Sequence, residues 1–94
     1  MTYIDVRWHH FSAEDPTRLV SELDANRWEL RKLEFFPDGR VGCAGPADET
    51  HGTKLGETPV PSLEEINAQA EFDGVEVDAA VFESLWSEYA SVAR

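Results

Sequence analysis

The stretch Arg18–Ala44, RLVSELDANRWELRKLEFFPDGRVGCA, decides the fold. It reads as three antiparallel strands joined by two tight turns. In Phe36-Pro37-Asp38-Gly39-Arg40, Pro37 pre-sets φ near −65° and Gly39 takes the positive φ that a three-residue hairpin loop needs. That loop places Phe35 opposite Val41 and Leu33 opposite Cys43. The earlier turn is Asp24-Ala25-Asn26-Arg27. There Asn26 suits left-handed geometry, and Asp24 and Arg27 are positioned to pair across the turn.

The middle strand conflicts with itself. Under strict alternation Trp28 and Leu30 share one face while Leu33 and Phe35 share the other. One extra residue near Arg31-Lys32, a β-bulge, brings all four to one face. The alternative is a strand covered on both faces. Glu22 falls in the middle of the preceding strand, where a carboxylate needs a cation opposite; Arg31 is the expected partner.

Upstream, Thr2–His10 alternates as a strand, with Ile4, Val6 and Trp8 on the face expected to meet the core. Phe11–Thr17 reads as a loop. Downstream, residues 45–61 hold Gly and Pro without periodicity and read as a long loop, either a surface crossover or a binding loop. Ser62-Leu63-Glu64-Glu65 is a capping box, and the helix it opens ends before Gly74, with Leu63, Ile66 and Ala70 as its buried stripe. Gly74–Val77 reads as an extended link. Asp78 then caps a second helix running to about Val92, with Val81, Phe82, Leu85, Trp86 and Tyr89 on one side. Trp86 is expected to anchor that helix on the Val6–Trp8 side of the sheet.

The expected architecture is one α+β domain. Residues 1–44 form an antiparallel meander of about four strands, 45–61 the loop, and 62–94 the helical part. One short and one longer C-terminal helix pack on one face of the sheet.

The residues Tyr3, Val6, Trp8-His9, Ser21-Glu22-Leu23, Glu29–Phe36 and Asp38-Gly39 look like a small bacterial family known only as a domain of unknown function. The tail, with Pro61–Asn67, Glu71-Phe72 and Phe82-Glu83 ahead of Trp86, resembles that family's ending. The resemblance covers nearly the whole chain. It implies a single stand-alone bacterial domain and brings no functional residue with it.

The formal net charge is −11. Residues 1–44 balance at −2 and residues 45–94 at −9. Such a surface repels a phosphate backbone, so nucleic acid is not the expected partner; it attracts a basic protein. No apolar run reaches membrane-spanning length, and the N-terminus lacks the apolar region of a signal peptide. A single cysteine, Cys43, forms no internal disulfide and reads as a small core side chain, and cytoplasmic residence is the default.

His9 and His10 are neighbours on a strand and point to opposite faces. The one conceivable metal set is His9, Glu22 and His51; no metal and no cofactor is expected. Glu22, Glu29, Arg31, Lys32 and Glu34, with His9 and His10, form a candidate charged patch in mid-sheet. It is either a polar pocket with acid–base and anion-binding groups or a ladder of ion pairs. Two functional readings follow. The first is a non-enzymatic acidic protein-binding domain, in one version an immunity or inhibitor protein against a basic partner, with Glu64, Glu76, Glu83 and Glu88 facing that partner. The alternative is a small-molecule binder or enzyme using the charged patch. No phosphate loop, nucleophile elbow or HExxH motif occurs.

Overall fold

The computed structural model describes residues 1–46, 49–50 and 52–92. The elements are β1 (Thr2–Trp8), β2 (Arg18–Leu23), β3 (Glu29–Phe35), β4 (Val41–Ala44), α1 (Leu63–Asn67), β5 (Phe72–Val77) and α2 (Ala79–Val92). The strands form one antiparallel sheet in the order β4-β3-β2-β1-β5. The first four make the expected meander. The fifth, which includes the stretch read as a link, pairs with β1 from Tyr3↔Val77 to Trp8↔Phe72.

The second turn follows its sequence. Gly39 has φ +93°, and Phe36 and Arg40 close the loop through Phe36 N–H on the Arg40 carbonyl at 2.9 Å. Phe35 faces Val41 and Leu33 faces Cys43. The first turn departs from expectation. Arg27, not Asn26, takes positive φ, at 65°. Asp24 and Arg27 meet only through the backbone, with Arg27 N–H on the Asp24 carbonyl at 2.9 Å, while Asp24 Oδ1 accepts from the backbone N–H of Asn26 and of Trp28. Arg27 is freed to reach across the molecule, donating to the carbonyls of Val60 and Pro61 at 2.8 and 2.7 Å.

The β-bulge is present, one residue from its expected place. Glu22 pairs with Arg31 but Leu23 pairs with Glu29, so Leu30 is the extra residue. It does not gather the apolar side chains. It swings Glu29 to the face that carries Leu23 and Lys32, and leaves Arg31 with Leu33 and Phe35 on the other.

Both faces of the sheet are covered, and the two helices lie on opposite faces rather than on one. On the first face Val20, Leu33 and Cys43 pack with Phe82 and Ala90 of α2, flanked by Tyr3, Phe35, Leu85, Trp86 and Tyr89. On the second, Ile4, Val6 and Leu23 pack with Ile66 and Leu63 of α1. The cause is β5: the chain leaves α1 on one face, runs along the sheet edge, and enters α2 on the other. Trp86 therefore sits opposite the Val6–Trp8 side on which it was expected. The buried stripe of α2 is also turned by one residue. Val81 is 43% exposed, whereas Phe82 and Ala90 are 0% and 3% exposed.

Helix α1 is capped as expected, with Glu65 N–H on Ser62 Oγ at 3.2 Å. It stops at Asn67, earlier than its sequence suggested, and Ala70 lies outside it, exposed. Asn67 ends the helix usefully. Its carboxamide accepts from the N–H of Gly74 and donates to the carbonyl of Gly74, at 2.6 and 2.9 Å. A neighbouring strand would take the same two groups, so the side chain closes the middle of the β5 edge. At the far edge Thr50 does likewise to Cys43, through its backbone N–H and its hydroxyl at 2.8 and 2.9 Å.

Phe82, wholly buried, should be the larger anchor. We expect Phe82→Ala to cost about 3–5 kcal/mol and half-buried Trp86→Ala about 2 kcal/mol in urea unfolding. The reverse order would contradict this packing. Asn67→Ala should cost about 1–2 kcal/mol and, by opening the β5 edge, increase self-association measured by light scattering. A variant that stays monomeric at high concentration would show that the edge is guarded by other means.

Candidate functional site

The structure divides the expected charged patch between the two faces. On the α2 face, Arg31 forks onto Glu22, Nε to Oε1 at 2.7 Å and Nη2 to Oε2 at 2.9 Å. It forks again onto Glu83 of α2, Nη1 to Oε1 at 2.9 Å and Nη2 to Oε2 at 2.6 Å. The guanidinium carbon lies 4.8 Å from the centroid of Phe82 and 5.1 Å from that of Trp86. Hydrogen bonds from Arg31 hold the Glu22 carboxyl below its ordinary pKa, against burial that pushes it up. The same two carboxylates hold Arg31 above its own already high value, the Glu22 bonds contributing most. A second fork, Arg18 on Asp5 at 3.0 and 2.7 Å, lies on this face beneath Phe35.

On the opposite face, Glu29, Lys32 and Glu34 meet the long loop. Lys32 Nζ is 3.1 Å from Glu29 Oε1, and the same oxygen accepts from the backbone N–H of Gly56. Thr53, fully buried, donates to Glu34 Oε1 at 2.7 Å. A Cβ at position 42 would lie 2.0 Å from Thr53 Oγ1, so glycine there lets the loop lie on the sheet. The described part of residues 45–61 is thus docked on the sheet, with Thr50, Thr53 and Gly56 bonded to β3 and β4.

His9 and His10 join neither group. His9 is exposed. His10 lies against Trp8, its Nδ1 accepting from Ser12 N–H and its Nε2 2.7 Å from the Pro16 carbonyl. His51, the third member of the conceivable metal set, lies outside the described residues. Among the described residues no three His, Cys, Asp or Glu side chains converge as metal ligands. Cys43 is buried in the core beside Thr50.

Of the acidic residues expected to face a partner, Glu64, Glu76 and Glu88 are exposed with no cation partner among the described residues. Glu83 is exposed but committed to Arg31. All other described acidic side chains after Gly45 are exposed as well: Glu49, Glu57, Glu65, Glu71, Asp73 and Asp78. The cations, by contrast, are absorbed within the fold. Arg18, Arg31, Lys32 and Arg40 sit in ion pairs, and Arg27 binds carbonyls. Among the described residues this leaves Arg7 and Lys54 exposed without such a partner.

One feature had no signal in the sequence. A cleft of about 220 Å³ opens between α1 and the sheet. Ile4, Val6, Ser21 and Ile66, all under 9% exposed, form its floor, with Leu19 and Glu29 beside them. Val60 and Pro61, the segment that Arg27 holds, line it together with Gln69 and Phe72. These residues span positions 4 to 72 and meet only in the folded chain. Among the described residues no helix is long and apolar enough to cross a membrane.

Compared with known proteins, residues 2–91 match the family described as Domain of unknown function (DUF6881). No curated protein matches the chain, and no solved structure does.

The Arg31 cluster makes a signed pH prediction. Because the Glu22 pKa is depressed in the fold, its stabilisation is complete above the unfolded value near 4.3 and is lost as pH falls below it. Thermal stability should therefore drop in acid, and Glu22→Gln should flatten that drop while costing about 1–2 kcal/mol at neutral pH. An acid limb unchanged in Glu22→Gln would assign the loss to other carboxylates.

Proposed function

The chain belongs to the DUF6881 family, and we propose that it serves as a non-enzymatic protein-binding domain whose partner presents a basic surface. The observation that carries this reading is the sorting of charge. Arg18, Arg31 and Lys32 of the sheet are paired internally, whereas Glu64, Glu65, Asp73, Glu76 and Glu88 of α1, β5 and α2 are exposed with no cation partner among the described residues. Glu64, Glu65, Glu71, Asp73, Glu76 and Asp78 follow one another along α1, the β5 edge and the start of α2. A negative field of this kind speeds encounter with a positive partner. An immunity or inhibitor role toward a basic toxin or nuclease, in a bacterial cytoplasm, is the specific form of the proposal.

The alternative, chemistry at the mid-sheet charged patch, has less support. Its members are split between the two faces of the sheet, and four of the five N–H groups of Arg31 are spent on Glu22 and Glu83.

The test is a pull-down from the native host followed by association kinetics at two salt concentrations. Screening shortens to about 8 Å near physiological ionic strength, so association should slow steeply as salt rises. Glu64→Lys, Glu76→Lys and Glu88→Lys should each lower the on-rate more than they raise the off-rate. Glu83 is unsuitable for reversal because it also holds Arg31. Salt-independent association would overturn the electrostatic reading. Turnover of a small molecule that is lost in Glu22→Gln would overturn the non-enzymatic one.

A further inference from the structure

We propose that the cleft between α1 and the sheet is a recognition pocket for the end of a lysine side chain of the partner. This proposal rests on the protein-binding reading above and gives it a point of attachment.

Size comes first. Pockets for drug-sized ligands run to roughly 300–1,000 Å³. A cleft of about 220 Å³ is below that range and far above the share of one water. It matches a single long side chain, as in the anchor pockets that dominate protein interfaces.

Chemistry narrows the guest. The walls that Ile4, Val6, Val60 and Phe72 supply are apolar and suit a methylene stem. Three polar side chains interrupt them: Ser21, Glu29 and Gln69. Ser21 is 3% exposed and lines the cleft. Glu29 lines the same cleft, and among the described residues its bonds to Lys32 and to the Gly56 N–H are made by Oε1. A purely aliphatic guest would cover the Glu29 carboxylate and bring it no hydrogen bond. An anion would meet Glu29 within a chain of net charge −11. Glu29, Lys32 and Glu34 together carry one carboxylate more than they have ammonium groups, so a further cation is accommodated. A compact ammonium with three rotatable donors serves one hydroxyl and one carboxylate oxygen, whereas a planar guanidinium asks for a fork. The cleft also borders α1 and β5, the segment that carries Glu64, Glu65, Glu71 and Glu76, so the field that draws a basic surface delivers it here.

The experiment titrates isotope-labelled protein at neutral pH with n-butylamine, 1-butanol and butyrate, following backbone amides by NMR. n-Butylamine, as its ammonium ion, should shift Ser21, Ile66 and Phe72 saturably, 1-butanol more weakly, and butyrate not at all. Glu29→Gln should weaken the amine about tenfold, the loss of one charge-assisted hydrogen bond, and leave 1-butanol unchanged. If Glu29→Gln does not fold, Ser21→Ala serves in its place and should weaken the amine several-fold. Equal responses to the three probes, or amine shifts confined to exposed acidic positions such as Glu57 and Glu88, would overturn the pocket. The titration needs no partner, so its failure leaves the salt-dependent association standing. Conversely, salt-independent association leaves an amine pocket without the proposed approach.

Discussion

The docking of α2 depends on how Arg31 is satisfied. A guanidinium at the edge of an apolar core is costly unless nearly every N–H finds a partner. Here four of five do, on Glu22 of the adjacent strand and Glu83 of the helix. The same group lies over Phe82 and Trp86, so its position ties together positions 82, 83 and 86 of one helix turn. Helix α2 can therefore sit on the sheet in only one register without stranding a charge. The cluster defines where the helix packs more than it adds net stability, since a buried pair gains little over an apolar substitute of the same shape. Removing one member is a different matter, because Glu22 would stay in the sheet, mostly buried and unpaired.

The bulge at Leu30 makes this arrangement compatible with the rest of β3. Without it Glu29 would share the α2 face with Arg31. With it, Glu29 joins Lys32 and Glu34 beneath the long loop, where Gly56 and Thr53 supply hydrogen bonds. One extra residue thus sorts the five charges into two ion-paired groups on opposite faces. The long loop becomes part of the folded body for the same reason. Its backbone and hydroxyls satisfy carboxylates that the strand pattern alone would leave buried.

What was legible in the sequence was local. The Pro-Asp-Gly turn, the Ser62 cap, the four-strand meander and the Glu22–Arg31 pair all follow from single turns and from strands that are neighbours in sequence. What was not legible depended on distant partners. The β5 segment FDGVEV carries Asp73 and Gly74, poor strand formers, in its first half, and becomes a strand because β1, some seventy residues earlier, offers a free edge. That strand in turn sends α2 to the other face, which no periodicity within α2 specifies. Tyr3, on the face of β1 opposite Ile4 and Val6, packs at 5.3 Å, centroid to centroid, against Phe82. The cleft was invisible for the same reason: its floor and rim are far apart in the chain. Arg27 misled for a different reason, because a bond from its side chain to the carbonyls of residues 60 and 61 outweighs the preference of Asn for left-handed geometry.

Edges and charge combine in a last consequence. A five-stranded open sheet exposes two edges, and each invites a second copy of the same chain. Thr50 closes the middle of one and Asn67 the middle of the other, each by copying the bonds of a missing strand. The β5 edge is also flanked by Glu71, Asp73, Glu76 and Asp78. Two such edges brought together antiparallel would set like charges against each other at close range. The acidity that favours a basic partner in the proposed role thereby disfavours self-pairing. Attraction and exclusion come from the same side chains, which is how one surface reaches specificity without a large apolar interface.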